Sequence, residues 1–135
     1  MKVVIDTGVL LSAIFFGGYA QKIIEAVQQG RIAAYVTREI AEEYDAAIAA
    51  MEARTGGRIR KKLAVPFTAR LHIVEPKVTT PLCLEAADDK FIACALAANA
   101  VYVIGEDKDV TFIGSRRSVK IINAEGVCQL LTLCA

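Results

Sequence analysis

Four acidic side chains in this sequence stand where hydrolytic chemistry on a phosphate ester would need them. Asp6 closes the apolar run Val3-Val4-Ile5 and is followed by Thr7 and Gly8. Asp107 follows a second run, Val101-Tyr102-Val103-Ile104, across Gly105-Glu106. Asp88 opens a segment with the apolar face Phe91, Ile92, Ala95 and Leu96, and Glu43 lies in a segment striped by Ile40, Tyr44, Ala47, Ile48 and Met51. Carboxylates brought together repel and raise one another's pKa values. A hard divalent cation keeps them ionised. Mg²⁺ or Mn²⁺ prefers carboxylate and water oxygens and commonly takes only one or two carboxylates directly. Such an ion lowers the pKa of a bound water and neutralises charge on a phosphoryl oxygen. Two of them, about 3.5–4 Å apart, clamp the attacking and leaving oxygens of an in-line displacement.

Whether these acids meet depends on the elements that carry them. An unbroken apolar run reads as a strand buried on both faces of a parallel sheet, and ligands collect at the carboxyl ends of such strands. The pattern predicts a first strand from Lys2 that ends at Asp6, and strands over Ile32–Val36, His72–Val74, Val101–Ile104 and Val119–Ile122. Helical stretches are expected over Val9–Phe16 and Gln21–Gln29, divided by Gly17-Gly18, then from an N-cap at Thr37 to about Arg54. Further helices are expected over Leu63–Leu71, Asp88–Ala98 and Ala124–Leu133, with a proline-containing loop over Glu75–Leu84. At about 100° per residue, Glu43 lies on the flank of its apolar stripe and Glu42 on the far side. Strands alternating with helices predict an α/β fold: a three-layer α/β/α sandwich with a central parallel sheet of about five strands, residues 1–135 forming one domain. Strand ends and helix starts then share one rim, and the acids can line one pocket.

Composition narrows the partners. The hydrophobic fraction is 55% and the mean hydropathy +0.43, an excess that fits a covering partner or a second copy of the chain, and a homodimer is expected. The net charge of +1 announces no nucleic acid globally, so any RNA contact must be local. Arg54, Arg58, Arg60, Lys61 and Lys62, around Gly56-Gly57, form one basic cluster, and Arg116, Arg117 and Lys120 form another. Lys2 followed by an apolar stretch loosely resembles a signal peptide, but Asp6 interrupts it, and a central Asp costs about 2.5–3.5 kcal/mol on an insertion scale. The expectation is a cytoplasmic chain that does not enter the membrane. Cys83, Cys94, Cys128 and Cys134 contain no C-x-x-C pair and His72 is the one histidine, so zinc is not indicated and the thiols read as small core residues.

The motifs themselves carry a resemblance. Val4-Ile5-Asp6-Thr7, Thr37-Arg38-Glu39-Ile40-Ala41-Glu42-Glu43-Tyr44, Asp88-Asp89-Lys90-Phe91-Ile92-Ala93-Cys94-Ala95 and Val103-Ile104-Gly105-Glu106-Asp107-Lys108-Asp109 follow one another in the chain. In this order and at these separations they resemble the four motifs of the PIN-domain family, and the likeness covers almost the whole chain. The resemblance implies a parallel α/β/α sandwich and Mg²⁺- or Mn²⁺-dependent ribonuclease activity. In many small bacterial and archaeal members it also implies a VapC-like toxin role, with a cognate antitoxin protein as partner. Carried over by position, Asp6, Glu43, Asp88 and Asp107 match the catalytic and metal-binding acids, and Asp109 matches a further metal-site acid of some members. Two departures stand out: Gly8 replaces the Asn of many members, and Gly105-Glu106 replaces a hydroxyl-containing pair that would help position a water or phosphate.

Each residue also has an ordinary reading. Asp6 can cap the following helix, Asp88 can be a partner of a helix dipole, Glu43 an exposed helix acid and Asp107 a turn residue. Only the joint pattern favours a site, with Asp6, Asp88 and Asp107 holding the metal and Glu43 binding metal or positioning the attacking water. Thr7 either contacts water and substrate or satisfies the turn, and Arg58, Lys61 and Lys62 either form a solvated edge or hold the RNA backbone. The rival function is a non-catalytic PIN-like module that binds RNA or protein. A phosphotransfer protein is a third reading, weakened because Asp6-Thr7-Gly8 lacks the Asp-x-Asp of phosphoaspartyl hydrolases.

Overall fold

A computed structural model describes residues 1–56, 69–76, 86–105, 110–114 and 117–131, and for residues 86–88, 110–114 and 117–118 it describes the backbone path. The apolar run at the N-terminus forms β1 (Lys2–Ile5), in which Val3, Val4 and Ile5 are all fully buried. Successive side chains of a strand point to opposite faces, so both faces of β1 are covered. Around it the chain runs α1 (Thr7–Phe15), α2 (Gly18–Gln28), β2 (Ala33–Val36), α3 (Arg38–Thr55) and β3 (His72–Ile73). It continues through α4 (Ala86–Ala98), β4 (Tyr102–Ile104), β5 (Val110–Gly114), β6 (Arg117–Ile122) and α5 (Ala124–Leu130).

The sheet order is β3-β2-β1-β4-β6-β5. Five of these strands are parallel, and helices cover both faces, α4 packing across β1, β2, β4 and β6 and α2 lying against α1 and α5. This is the expected three-layer α/β/α sandwich. The sequence pattern overlooked one strand. β5 pairs antiparallel with β6, from Val110 opposite Ile121 to Gly114 opposite Arg117, and forms the sheet edge. Only two residues separate β5 from β6, so a hairpin suffices where a parallel neighbour would need a crossover.

Local chemistry sets the breaks. Gly17 and Gly18 have φ of 77° and 67°, values that residues with a Cβ rarely adopt, and there the axes of α1 and α2 turn through 101°. α2 therefore starts at Gly18, three residues before the predicted Gln21. Thr37 caps α3 as expected, its hydroxyl accepting from the Ile40 amide at 3.2 Å, and Gly56 ends α3 in the left-handed conformation. α4 starts at Ala86, so Asp88 lies in its first turn. The predicted helix over Leu63–Leu71 falls largely outside the described residues. No single helix among them is long and apolar enough to cross a membrane.

One buried hydrogen bond ties α3 to the end of β1. Tyr44, 1% exposed, donates its hydroxyl to the carbonyl of Ile5, the residue before Asp6. Burial, and then the neighbouring Cys94, Asp6 and Glu43, push the phenol pKa far up, so Tyr44 remains a neutral donor at any working pH. Tyr44→Phe is expected to destabilise the fold by about 1–2 kcal/mol, read as a lower urea midpoint at unchanged slope.

Candidate active site

The site is built on the switch point of the sheet. β1 lies between β2, next in the chain, and β4, which returns from the far side of the sequence. At such a switch point the ligand crevice of an open α/β sheet lies outside the carboxyl ends of the strands, here those of β1 and β4. The Asp6 amide donates to the Ile104 carbonyl at 2.9 Å, and the Gly105 amide donates to the Ile122 carbonyl at 2.9 Å. These bonds set Asp6 beside Gly105. A Cβ added at Gly105 would lie 3.8 Å from Asp6 Oδ2 and 3.1 Å from Ile121 Cγ2. A residue with a Cβ at position 105 would need the Ile121 side chain to give by a few tenths of an ångström.

Asp6 does cap α1, as its ordinary reading held. Its Oδ1 accepts from the Gly8 amide at 2.9 Å, and its side chain is half-buried. The cap fixes the carboxylate at the crevice instead of removing it. Thr7, in the first turn of α1, donates its hydroxyl to Glu43 Oε2, across 36 residues of sequence. Lys90 of α4 donates to Glu43 Oε1. Lys90 Nζ also lies 5.6 Å from the centre of the Phe91 ring. Thr7, Glu43 and Lys90 thus form one hydrogen-bonded polar group drawn from α1, α3 and α4, with Asp6 immediately before Thr7 in the chain.

Sequence reasoning placed Asp6, Thr7 and Glu43 in the site and passed over Lys90, although Lys90 lies inside a motif it quoted. The available signal was a lysine immediately before the buried face that starts at Phe91. A half-buried ammonium needs an acid, and Glu43 was already turned inward. For Asp88 the backbone places the residue two positions before Lys90 on the same first turns of α4; its side chain lies outside the description. Asp107, Asp109, Arg58, Lys61 and Lys62 fall outside the described residues, although Gly105, two residues before Asp107, is at the crevice.

Burial alone would raise the Glu43 pKa. The hydrogen bond and charge of Lys90 and the hydroxyl of Thr7 outweigh it, and the carboxyl is held below the usual glutamate range. Glu43 is therefore ionised at neutral pH. Cys94, by contrast, is buried and its thiol pushed up to about 12, moderated by a hydrogen bond to the Thr37 backbone, so it is no nucleophile. Cys128 donates its thiol to the Tyr19 carbonyl at 3.6 Å, and neither of these cysteines is in a disulfide. His72 stacks on Tyr35 at 4.9 Å on the sheet edge, remote from the acids in the strand order.

The donors near Asp6 suit a hard cation in kind: among the described residues they are carboxylate and hydroxyl oxygens, with no histidine or thiolate. No group of three or more His, Cys, Asp or Glu gathers around one point among the described residues. Glu43 is a constrained donor. A divalent ion on Oε1 would be repelled by the ammonium bonded to the same oxygen. A cleft of about 750 Å³ between β6 and α5 shares no residue with this group. A smaller one, about 340 Å³, borders it through Gly105.

The Glu43–Lys90 pair gives a pH signature. A lowered folded-state pKa contributes stability above the unfolded value, near 4.3, and loses it as pH falls through the folded value. Both side chains are partly exposed, at 33% and 24%. Lys90→Met is therefore expected to cost about 1 kcal/mol or less at pH 7. The gap to the unaltered chain should close below about pH 4 in thermal melts.

Comparison with known proteins matches residues 2–109 to the PIN domain. An uncharacterized protein of Methanocaldococcus jannaschii is 27% identical over 127 residues, covering 91% of this chain and 82% of its own. No solved structure matches. PIN domains are generally nucleases and generally use divalent metals. The matched residues run from β1 past β4 and include Asp6, Glu43, Lys90 and Gly105; the chain belongs to the PIN-domain family.

Proposed function

We propose that this chain is a Mg²⁺- or Mn²⁺-dependent endoribonuclease. Its reaction is attack of water on a phosphodiester phosphorus with cleavage of the P–O3′ bond, leaving a 5′-phosphate and a 3′-hydroxyl. The observation that carries the reading is the hydrogen-bonded set Thr7, Glu43 and Lys90, next to Asp6 at the switch point between β1 and β4. Asp6 would hold the metal, together with Asp88 and Asp107, with Asp109 as a further ligand. When bound, the ion supplies charge neutralisation at the phosphoryl oxygens and acidifies water. Asp6, held by the Gly8 amide, keeps its carboxylate aimed into the crevice. Glu43, ionised, orients the attacking water by accepting its hydrogen bond. With its pKa held low it is a weak base, so its contribution is alignment and the proton passes on to solvent. Arg58, Lys61 and Lys62 are assigned to the RNA backbone.

The small size and family membership further support the role of toxin in a cytoplasmic toxin–antitoxin pair. Phe16, 82% exposed, and Tyr19, 43% exposed, offer apolar surface to an antitoxin or a second copy of the chain. The departure at Gly105-Glu106, where the family carries a hydroxyl, favours one alternative: a non-catalytic PIN-like module that binds RNA or protein.

Asp6→Asn keeps the cap acceptor and removes the charge. It is expected to lower Mn²⁺-supported cleavage of RNA on the order of 10²-fold or more, with the circular-dichroism melt little changed. Undiminished cleavage by the folded variant would exclude this crevice as the site.

A further inference from the structure

We infer that Lys90 is a positioning residue that keeps Glu43 off the metal, so that Glu43 serves the site through water and not as a metal ligand. This rests on the nuclease reading above. Both Glu43 oxygens already receive a donor, Oε1 from Lys90 and Oε2 from Thr7. The two donors come from different elements, α4 and α1, while Glu43 itself stands on α3. Three packed helices therefore fix one carboxylate, and freeing it for a cation would mean turning away a half-buried ammonium. A cation arriving at Oε1 would meet that ammonium head-on, and one arriving at Oε2 would still be repelled by it across the same carboxylate.

Water meets no such obstacle. Each carboxylate oxygen has two acceptor directions, so an oxygen bonded to Lys90 or Thr7 can still accept one O–H. The ion pair is also neutral as a unit. The charge that draws a divalent ion into the crevice must then come from the aspartates, beginning with Asp6. Glu43 and Lys90 together offer an acceptor and a donor next to Thr7, the residue that follows Asp6. This is the arrangement needed to line up a nucleophile and steady a phosphate oxygen without competing for the metal.

A charge-neutral double substitution tests it. Glu43→Gln alone would change the net charge of the crevice and weaken any cation by electrostatics. Glu43→Gln with Lys90→Gln removes one negative and one positive charge together, and the new amide oxygen on α3 can still accept from Thr7. Mn²⁺ binding is measured by calorimetry and RNA cleavage by initial rates on the same folded protein. The expected result is Mn²⁺ affinity within about threefold of the unaltered chain, with kcat lowered on the order of 10²-fold and KM changed far less. A tenfold or greater loss of Mn²⁺ affinity overturns the inference and makes Glu43 a ligand. Anomalous density from Mn²⁺-soaked crystals gives a second readout. An ion on Asp6, with Lys90 still paired to Glu43, supports the assignment; an ion bonded directly to a Glu43 oxygen overturns it. Should Asp6→Asn bind Mn²⁺ as tightly as the unaltered chain, the proposed metal site fails by itself. Absence of Mn²⁺ binding by the unaltered chain removes both.

Discussion

The hydrogen bond from Tyr44 to the Ile5 carbonyl is the constraint on which the candidate site depends. It joins residues 39 apart in sequence and lies wholly inside the protein. In a dry interior an unmade bond of this kind is costly, so the contact is strongly specified. It sets the axial position of α3 against the end of β1. The adjacent residues on each side then have little choice: Glu43 is brought to Thr7, and Asp6 is held beside them where β1 gives way to α1. An apolar neighbour at position 44 would bury as much surface and fix nothing.

The same crevice reconciles two readings that compete on paper. An aspartate that caps a helix is structural, and an aspartate at a strand end in a parallel sheet is a ligand group. Asp6 caps α1 and also stands at the carboxyl end of a parallel strand, because a helix that begins immediately after a buried strand has its N-terminus at the sheet's carboxyl edge. Oδ1 is taken by the Gly8 amide, and this bond orients the whole carboxylate toward Gly105. Ionised acid, capped helix and close-packed glycine are consequences of one turn. Lys90 extends the logic by balancing the charge of Glu43, so the carboxylates here are not left to repel one another.

The β5–β6 hairpin completes the sheet at the edge opposite β3. As an antiparallel edge strand, β5 pairs with β6, and both β6 and β4 stand between it and β1. The exposed Phe16, Tyr19, Ile73, Val101 and Leu130 account for part of the high hydropathy of the chain, and they come from widely separated parts of it.

What the amino-acid sequence determined by itself is the set of local events. β-Branched runs made buried strands, Gly17-Gly18 broke a helix, Thr37 capped one, and helical periodicity turned Glu43 inward while leaving Glu42 out. Each depends on residues within a turn or two of one another, and such signals survive in a linear reading. β5 escaped because a short strand on a sheet edge needs only a neighbour, not a periodic core face. The helix starts at Gly18 and Ala86 escaped because small residues carry weak cap signals. Tertiary structure alone decided which side chains meet. The partners of Glu43 are 36 and 47 residues away, and nothing local tells a half-buried lysine which acid it will neutralise. That choice is made by the register of α3 and α4 on the sheet, where burial of their apolar faces leaves the two charges no other place to go.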